Sequence, residues 1–328
     1  MALRSALTRT AQLGARGARR LSAAPVTEIK KVGMVGLGLM GHGIAQAAAT
    51  AGYDVVGVEM SDGALAAGKA RIDASVPKLL ARGVKKGALT QEAADAEAAA
   101  TLGRIEYATS LESLADCDLV VEAIIEDIAI KQDFYGQLGA IAKPSAIFGS
   151  NTSSLLLSDM APASGRADKF VGLHFFNPVQ LMRLVEVIKG AETDPAAFAL
   201  VRAWAESLPN KTAVSCVDAP GFIVNRLLVP FQAQALLMLD RGDATVEDID
   251  VAMKLGTGHP MGPFTLADYV GLDTVLSILQ GWVDKFPNEP TFVVPECLKA
   301  KVAAGKLGRK TGEGFYKWDG DKPLGVAD

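Results

Sequence analysis

Residues that bind metal ions or form disulfide bonds are scarce in this sequence. Its 328 residues include three histidines and three cysteines. Cys117, Cys216 and Cys297 are odd in number, and no two of them form a Cys-x-x-Cys pair. This pattern argues against a disulfide framework and against a zinc site, and it suits a reducing compartment. We therefore expect no metal.

Long apolar runs are also lacking. The apolar stretches are interrupted by glycine or by charge, as in residues 118–122 and 224–227, so we expect no membrane span. A hydrophobic content of 49% with 21% charged residues is ordinary for a folded globular protein. A chain of this length can form two domains, each with its own core.

The first 26 residues contain no acidic residue. They carry several hydroxyl groups and five arginines: Arg4, Arg9, Arg16, Arg19 and Arg20. Arginine without acid is typical of a mitochondrial transit peptide, so we assign residues 1–26 to one and expect the protein in the mitochondrial matrix. A basic tail that stays attached is the alternative.

Without this segment the chain is acidic. Of 33 basic residues 28 remain, against 37 acidic ones, which gives a formal charge of about −9. A protein with this charge is a poor general binder of nucleic acid.

Short β-branched runs alternate with helical segments from Lys31 to about Ser215. Strands separated by helices predict an α/β fold with a Rossmann-type, doubly wound parallel sheet. The predicted strands are residues 31–36, 53–59, 118–122, 146–149 and 169–173.

A helical insertion is expected before the third of these strands, over residues 75–86 and around 93–100, with Pro77 in a first helical turn. From residue 222 onward the periodicity is helical, over 222–239, 246–255 and 266–283. We therefore predict a nucleotide-binding domain over residues 27–215 and a mostly α-helical C-terminal domain over residues 216–328.

A glycine-rich turn follows the first predicted strand. It reads Gly36-Leu37-Gly38-Leu39-Met40-Gly41 and opens a helix. The first glycine permits a tight turn, the second lets backbone amides approach a pyrophosphate, and the third lets the helix pack on the strand. Alone, this pattern is weak evidence for a dinucleotide site.

Glu59 supports that assignment, because it ends the second predicted strand. Its carboxylate can accept hydrogen bonds from the adenosine ribose, and its charge would repel a 2′-phosphate. The sequence therefore predicts NAD, rather than NADP, as the cofactor.

A histidine base must be His42, His174 or His259. We interpret His42, just inside the nucleotide-binding helix, as an incidental surface residue, and His259, in a turn-rich loop, as a capping residue. His174 ends an apolar strand at the carboxyl edge of the sheet, where doubly wound folds bind their ligands.

Glu186 lies twelve positions after His174, inside the strand-like run of residues 183–188. An acid flanked by apolar residues needs a partner, and a neighbouring strand could bring it against the imidazole. On spacing alone, a core histidine with an unrelated edge glutamate is an equal alternative.

Several motifs resemble one enzyme family. Residues 172–178 read Gly-Leu-His-Phe-Phe-Asn-Pro, and four further segments, 121–126, 150–154, 220–226 and 310–316, match in the same order. From about Lys31 to its C-terminus the chain is similar to the mitochondrial 3-hydroxyacyl-CoA dehydrogenases.

The resemblance implies (3S)-3-hydroxyacyl-CoA oxidation in fatty-acid β-oxidation, and a homodimer. It implies that His174 is the base, that Glu186 orients it, and that Ser153 and Asn225 lie near the substrate oxygen and the nicotinamide. Cofactor contacts are further implied for Glu126, Lys131, Ser153, Asn177 and Lys310.

Coenzyme A carries phosphates, and the predicted insertion presents four cations at helical spacing: Lys78, Arg82, Lys85 and Lys86. A solvated charged face explains the pattern equally well. The resemblance implies CoA contacts for Ser75, Arg82 and Ser153, although the family usually has lysine at the position of Arg82.

Two other functions remain as alternatives. One is a dehydrogenase of a small hydroxy acid or of a sugar acid such as gulonate. The other is a non-catalytic, crystallin-like NAD-binding protein, which the presence of His174, Glu186, Ser153 and Asn225 disfavours.

Overall fold

The computed structural model describes residues 28–327. Their contacts divide the chain into two compact units, between Ala219 and Pro220. The sequence analysis places the boundary a few residues earlier, after residue 215. The predicted transit peptide lies outside the described residues. No helix among residues 28–327 is both long and apolar enough to cross a membrane.

The first unit is built on an eight-stranded sheet. Its strands are β1 (Lys31–Val35), β2 (Asp54–Val58), β3 (Ile105–Ala108), β4 (Leu119–Glu122), β5 (Ile147–Ser150), β6 (Phe170–Phe175), β7 (Leu184–Lys189) and β8 (Thr212–Val217). They lie in the order β3-β2-β1-β4-β5-β6-β7-β8. The strand order reverses beside β1, as expected of a doubly wound sheet.

The sheet is not wholly parallel. Strand β7 pairs antiparallel with β6, and β8 runs parallel to β7, so the last two strands oppose the other six. Residues 176–183, which join β6 to β7, are too few for the crossover that a parallel pair needs. The predicted fold class is confirmed, with this antiparallel edge.

Among residues 28–219, five α-helices accompany the sheet: α1 (Gly41–Thr50), α2 (Asp62–Lys85), α3 (Gln91–Gly103), α4 (Ile128–Ile141) and α5 (Pro195–Ser207). Several begin at a side-chain cap: Ser61, Thr90, Asp127 and Asp194 each accept a backbone N–H of the first turn. Short 3₁₀ turns lie at Leu111–Leu114, Leu157–Asp159, Ala161–Ser164 and Ala167–Lys169. The buried side chains of α1, α2 and α5 meet the sheet in a core that includes Met34, Ile44 and Trp204. Tyr135 of α4 packs instead on Phe148 and Phe170, which are not part of that core.

The placement of Pro77 in a first helical turn was wrong. Helix α2 begins at Asp62, after its Ser61 cap, so Pro77 lies in the helix interior. Pro77 is exposed to solvent, so the carbonyl group that loses its hydrogen-bond partner there can be hydrated.

The second unit is mostly helical. Its helices are α6 (Val224–Asp240), α7 (Val246–Thr257), α8 (Pro263–Val270), α9 (Leu272–Lys285) and α10 (Glu296–Ala303), and a 3₁₀ turn lies at Arg309–Thr311. Strands β9 (Tyr316–Asp319) and β10 (Lys322–Val326) form an antiparallel hairpin. The helix predicted over 266–283 is in fact two helices, separated by Gly271 at φ +104°.

Candidate active site

The glycine-rich turn joins β1 to α1, and its glycines are required for different reasons. Gly36 has φ +83°, and a Cβ there would lie 2.7 Å from the carbonyl oxygen of Ala123. A Cβ on Gly41 would lie 1.7 Å from the carbonyl oxygen of Gly36. A Cβ on Gly38 would meet no atom within 4 Å. The turn is therefore closed on its packed side and open beside Gly38, as the approach of a diphosphate requires.

Glu59 follows β2 and is tied to this turn. Its Oε1 accepts the backbone N–H of Leu37 at 2.6 Å. The side chain of Leu37 is fully buried, and a Cβ on Gly68 would lie 2.4 Å from its Cβ. Leu39 is exposed and Met40 half-buried. The predicted cofactor residues of the turn thus form one structure, which fits a dinucleotide.

His174 and Glu186 face each other across the β6–β7 pair. They are register partners, and the Nδ1 atom of His174 lies 2.6 Å from the Oε2 atom of Glu186. Both are buried, His174 at 6% exposure and Glu186 at 0%. Because a carboxylate only accepts, Nδ1 carries a proton, which makes Nε2 the proton acceptor of the neutral ring.

A buried ion pair lies behind the turn that follows β5. The ammonium group of Lys131 donates to both carboxylate oxygens of Glu122, at 2.8 and 2.9 Å, and both side chains are fully buried. Glu122 also accepts from the hydroxyl groups of Tyr135 and Ser150. Burial and the Glu122 charge raise the pKa of Tyr135 well above its ordinary value, which keeps it a neutral donor.

Glu126 connects this pair to the turn that carries Ser153. Its Oε2 lies 3.2 Å from Nζ of Lys131, while its Oε1 accepts from the Thr152 hydroxyl at 2.5 Å and the Ser153 backbone N–H at 3.0 Å. Burial raises the pKa of Glu126, but the Lys131 charge and these donors outweigh that effect, and the pKa lies below its ordinary value.

Sequence analysis did not single out Glu122, although a signal was present. Glu122 directly follows the buried run Leu119-Val120-Val121, and a carboxylate in such a position needs a partner. Lys131 is fully buried rather than a surface-type residue.

The remaining predicted contacts of the first unit are more exposed. Asn177 lies on the segment between β6 and β7 and is exposed, as is Arg82 on α2, while Ser75 is half-buried. Arg82 and Lys86 line a cleft of about 430 Å³ that also contains Gln180 and Lys211. Lys78 and Lys85 do not line it, so only two of the four cations of α2 belong to this cleft.

Asn225 and Lys310 belong to the second unit. Asn225 is half-buried in the first turn of α6. The ammonium group of Lys310 lies 2.5 Å from Oδ1 of Asp273, and this hydrogen bond lowers the pKa of Asp273.

The doubly wound sheet, the open glycine turn and the buried histidine–glutamate pair together define a nicotinamide-dependent dehydrogenase. Two family models cover nearly all of the described chain: the 3-hydroxyacyl-CoA dehydrogenase NAD-binding domain at residues 31–219, and the C-terminal domain of the same family at residues 221–318.

Similar proteins agree with these models. The mitochondrial hydroxyacyl-coenzyme A dehydrogenase of Rattus norvegicus is 47% identical over 88% of this chain and 91% of its own. A probable 3-hydroxybutyryl-CoA dehydrogenase of Deinococcus radiodurans is 48% identical over 88% of this chain and all of its own. The crystal structure of (S)-3-hydroxybutyryl-CoA dehydrogenase PaaH1 from Ralstonia eutropha has a TM-score of 0.82 and 42% identity, over 89% of this chain and 99% of that one. The chain belongs to the 3-hydroxyacyl-CoA dehydrogenase family.

Proposed function

We propose that this protein oxidises (3S)-3-hydroxyacyl-CoA to 3-oxoacyl-CoA with NAD, reversibly, as a step of fatty-acid β-oxidation. The observation that carries the proposal is the 2.6 Å contact between Nδ1 of His174 and Oε2 of Glu186 at the end of β6. It leaves Nε2 of a neutral ring to accept a proton, which the oxidation of an alcohol releases.

His174 is the general base. It takes the proton of the substrate 3-hydroxyl at Nε2, and the buried carboxylate of Glu186 stabilises the imidazolium that results. A bound NAD would supply the acceptor for the hydride of C3. In the reductive direction the imidazolium returns its proton to the oxygen.

Ser153 and Asn225 hold the substrate oxygen by donating hydrogen bonds. The backbone of Ser153 is fixed by Glu126, which supports a defined position for its hydroxyl group. For the cofactor, we assign the diphosphate to the backbone of Gly36–Gly41 and the adenosine ribose to Glu59. Asn177 and Lys310 are further contacts.

Glu126 also contacts the cofactor in this proposal, and Lys131 serves it indirectly. The Lys131 ammonium is enclosed between Glu122 and Glu126, at 2.8 and 3.2 Å, so its contribution is to hold Glu126 in place.

The substrate's CoA group binds along α2, where Ser75 and Arg82 contact it together with Ser153. Arg82 supports this assignment because it lines the cleft beside Lys86, and two cations suit the phosphates of CoA.

The quaternary structure we propose is a homodimer formed by the second unit. Leu227 on α6 and Leu255 on α7 are 68% and 82% exposed, which is unusual for large apolar side chains of amphipathic helices. A second copy of this chain would cover them.

Leu255→Glu should shift the mass measured by light scattering from dimer to monomer. The control Leu324→Glu, on the β10 strand, should leave that mass unchanged. A monomeric wild type would contradict the proposal.

We place the protein in the mitochondrial matrix on the strength of its arginine-rich first 26 residues. The rat relative is named mitochondrial, whereas the Deinococcus relative is bacterial at similar identity. A fluorescent protein fused to residues 1–26 should therefore enter mitochondria, and a diffuse signal would contradict the assignment.

One assay tests the reaction against its alternatives. Purified protein mixed with NADH and acetoacetyl-CoA should consume NADH, while a sugar acid such as gulonate with NAD should give little turnover. His174→Gln should bind NADH normally and lower kcat by about 10²- to 10⁴-fold. Faster turnover of gulonate would favour the sugar-acid alternative, and NADH binding without turnover of either substrate would favour the crystallin-like one.

A further inference from the structure

His42 is the second residue of α1, directly after the glycine-rich turn. Its Nδ1 atom lies 2.7 Å from the carbonyl oxygen of Gly38, and its Nε2 atom lies 3.1 Å from the amide nitrogen of Gln180. The same amide nitrogen lies 3.4 Å from Oε1 of Gln46. The ring is half-buried, so the interpretation of His42 as an incidental surface residue was wrong.

These contacts fix the direction of the hydrogen bonds. The Gly38 carbonyl can only accept, so Nδ1 of His42 carries the proton and donates it. The neutral ring then accepts at Nε2 from the amide N–H of Gln180, and the second amide hydrogen faces Gln46. Gln180 therefore donates to His42, and His42 donates to Gly38.

The Gly38 carbonyl oxygen accepts two hydrogen bonds from His42, one from its backbone N–H at 3.3 Å and a shorter one from Nδ1 at 2.7 Å. The ring bond adds to the backbone contact in orienting the next peptide unit. In a trans peptide the C=O and N–H bonds point in opposite directions. Because the Gly38 oxygen faces the His42 ring, the N–H of Leu39 faces away from it. Leu39 is 66% exposed, and a Cβ on Gly38 would meet no atom within 4 Å, so an anion can approach the turn here.

Gln180 is itself held in place, so it can fix the ring. A Cβ on Gly43 would lie 2.7 Å from Cβ of Val179, which shows how closely α1 packs on this segment. On the other side the ammonium group of Lys211 donates to the carbonyl oxygens of Val179 and Met182. The segment that carries Gln180 is thus fastened from two sides.

We propose that His42 is a positioning residue for the cofactor diphosphate: it holds the Gly38–Leu39 peptide with its N–H available to the anion, and Gln180 holds the His42 ring. The inference rests on the proposed function in that NAD is the cofactor. It does not depend on the identity of the substrate.

The test measures binding without acyl-CoA. Fluorescence titration should show that His42→Ala raises the Kd for NADH about tenfold, which corresponds to about 1.4 kcal/mol. His42→Asn keeps a donor near the position of Nδ1 and loses the contact with Gln180, so both it and Gln180→Leu should raise Kd about threefold. The control His259→Asn changes a histidine of the second unit, whose ring packs on Phe231, and should leave Kd unchanged.

Two further readouts separate positioning from a general structural effect. His42→Ala should weaken the binding of ADP-ribose about as much as that of NADH, because both ligands contain a diphosphate. Its affinity for AMP, which has none, should stay within about twofold of wild type. At saturating NADH its kcat should stay within about twofold of wild type, so that the loss appears in KM.

Equal NADH affinity in wild type and His42→Ala would overturn the inference. So would an equal fold loss of affinity for ADP-ribose and for AMP. Wild-type protein that binds NADH but does not reduce acetoacetyl-CoA would contradict the proposed function instead, and the comparison of Kd values would still stand.

Discussion

Replacing Glu186 by glutamine removes one charge and almost no volume. The carboxylate is fully buried, and its Oε2 lies 2.6 Å from Nδ1 of His174. A glutamine can keep a hydrogen bond to the ring, but it cannot offer a negative charge to the imidazolium. The substitution therefore separates the electrostatic contribution of Glu186 from its packing.

The size of the effect follows from this geometry. Opposite charges about 4 Å apart attract by roughly 4 kcal/mol at an effective dielectric constant of 20. A hydrogen bond to a charged group contributes about 1 to 2 kcal/mol more free energy than a neutral one. This difference is the lower bound for the effect of Glu186→Gln. We expect Glu186→Gln to raise the barrier by about 2 to 4 kcal/mol, or roughly 30- to 1000-fold in the rate of the chemical step.

The assay should isolate that step. Single-turnover mixing of enzyme-bound NADH with excess acetoacetyl-CoA follows NADH absorbance, and 4-deuterated NADH reports whether hydride transfer limits the rate. In the variant the deuterium isotope effect should reach its full value, because chemistry has become slow. NADH affinity and melting temperature should stay close to wild type.

The matched control is Glu192→Gln, which changes an exposed glutamate shortly after β7. It should leave the single-turnover rate unchanged. A folded Glu186→Gln enzyme that binds NADH and reacts within about twofold of wild type would refute the role of the carboxylate.

Three further predictions concern other residues of the first unit. Glu59→Ala should raise KM for NAD about tenfold and reduce discrimination against NADP, and an unchanged coenzyme preference would refute the ribose assignment. Lys131→Met leaves Glu122 buried without its cation and should lower the free energy of unfolding in urea by about 3 to 5 kcal/mol. Adding Glu122→Gln should restore part of this loss, and a loss below about 1 kcal/mol would speak against the buried pair. Burial lowers the pKa of Lys211 to about 8, so between that pH and about 10.5 the unfolded chain binds more protons. Wild-type stability relative to Lys211→Met should therefore rise between about pH 8 and 10.5, and a constant difference would contradict this pKa.

Local patterns predicted the elements of the first unit that lie close to the cofactor turn. Gly36, Gly41 and Glu59 each have a local reason to be where they are, because a strand, a tight turn and a helix follow one another within a few residues. Strands β3 and β8 were not among the predicted strands. Both lie at the edges of the sheet, where one-sided burial weakens the apolar pattern.

Contacts distant in sequence were harder to predict. Glu122 and Lys131 are nine positions apart on a strand and a helix, and their pairing depends on how α4 packs on the sheet. His42 is a partial exception, because a side chain four residues after Gly38 can reach its carbonyl within one helical turn. Its second contact, with Gln180, spans 138 positions and could not be anticipated.

The histidine–glutamate pair depends on the one pairing that departs from a parallel sheet. In an antiparallel pair, residues directly opposite each other have Cβ atoms about 5 Å apart and project from the same face, so a histidine and a glutamate in register can meet without distortion. The eight positions from 176 to 183 already exclude a parallel crossover, so the antiparallel pairing could have been deduced from loop length. A one-residue slip of β7 would turn Glu186 to the opposite face of the sheet and replace it beside His174 with an apolar neighbour, Val185 or Val187. Since Val185 and Val187 are fully buried, that slip would also place the carboxylate in their apolar environment. Packing therefore keeps the register that pairs His174 with Glu186.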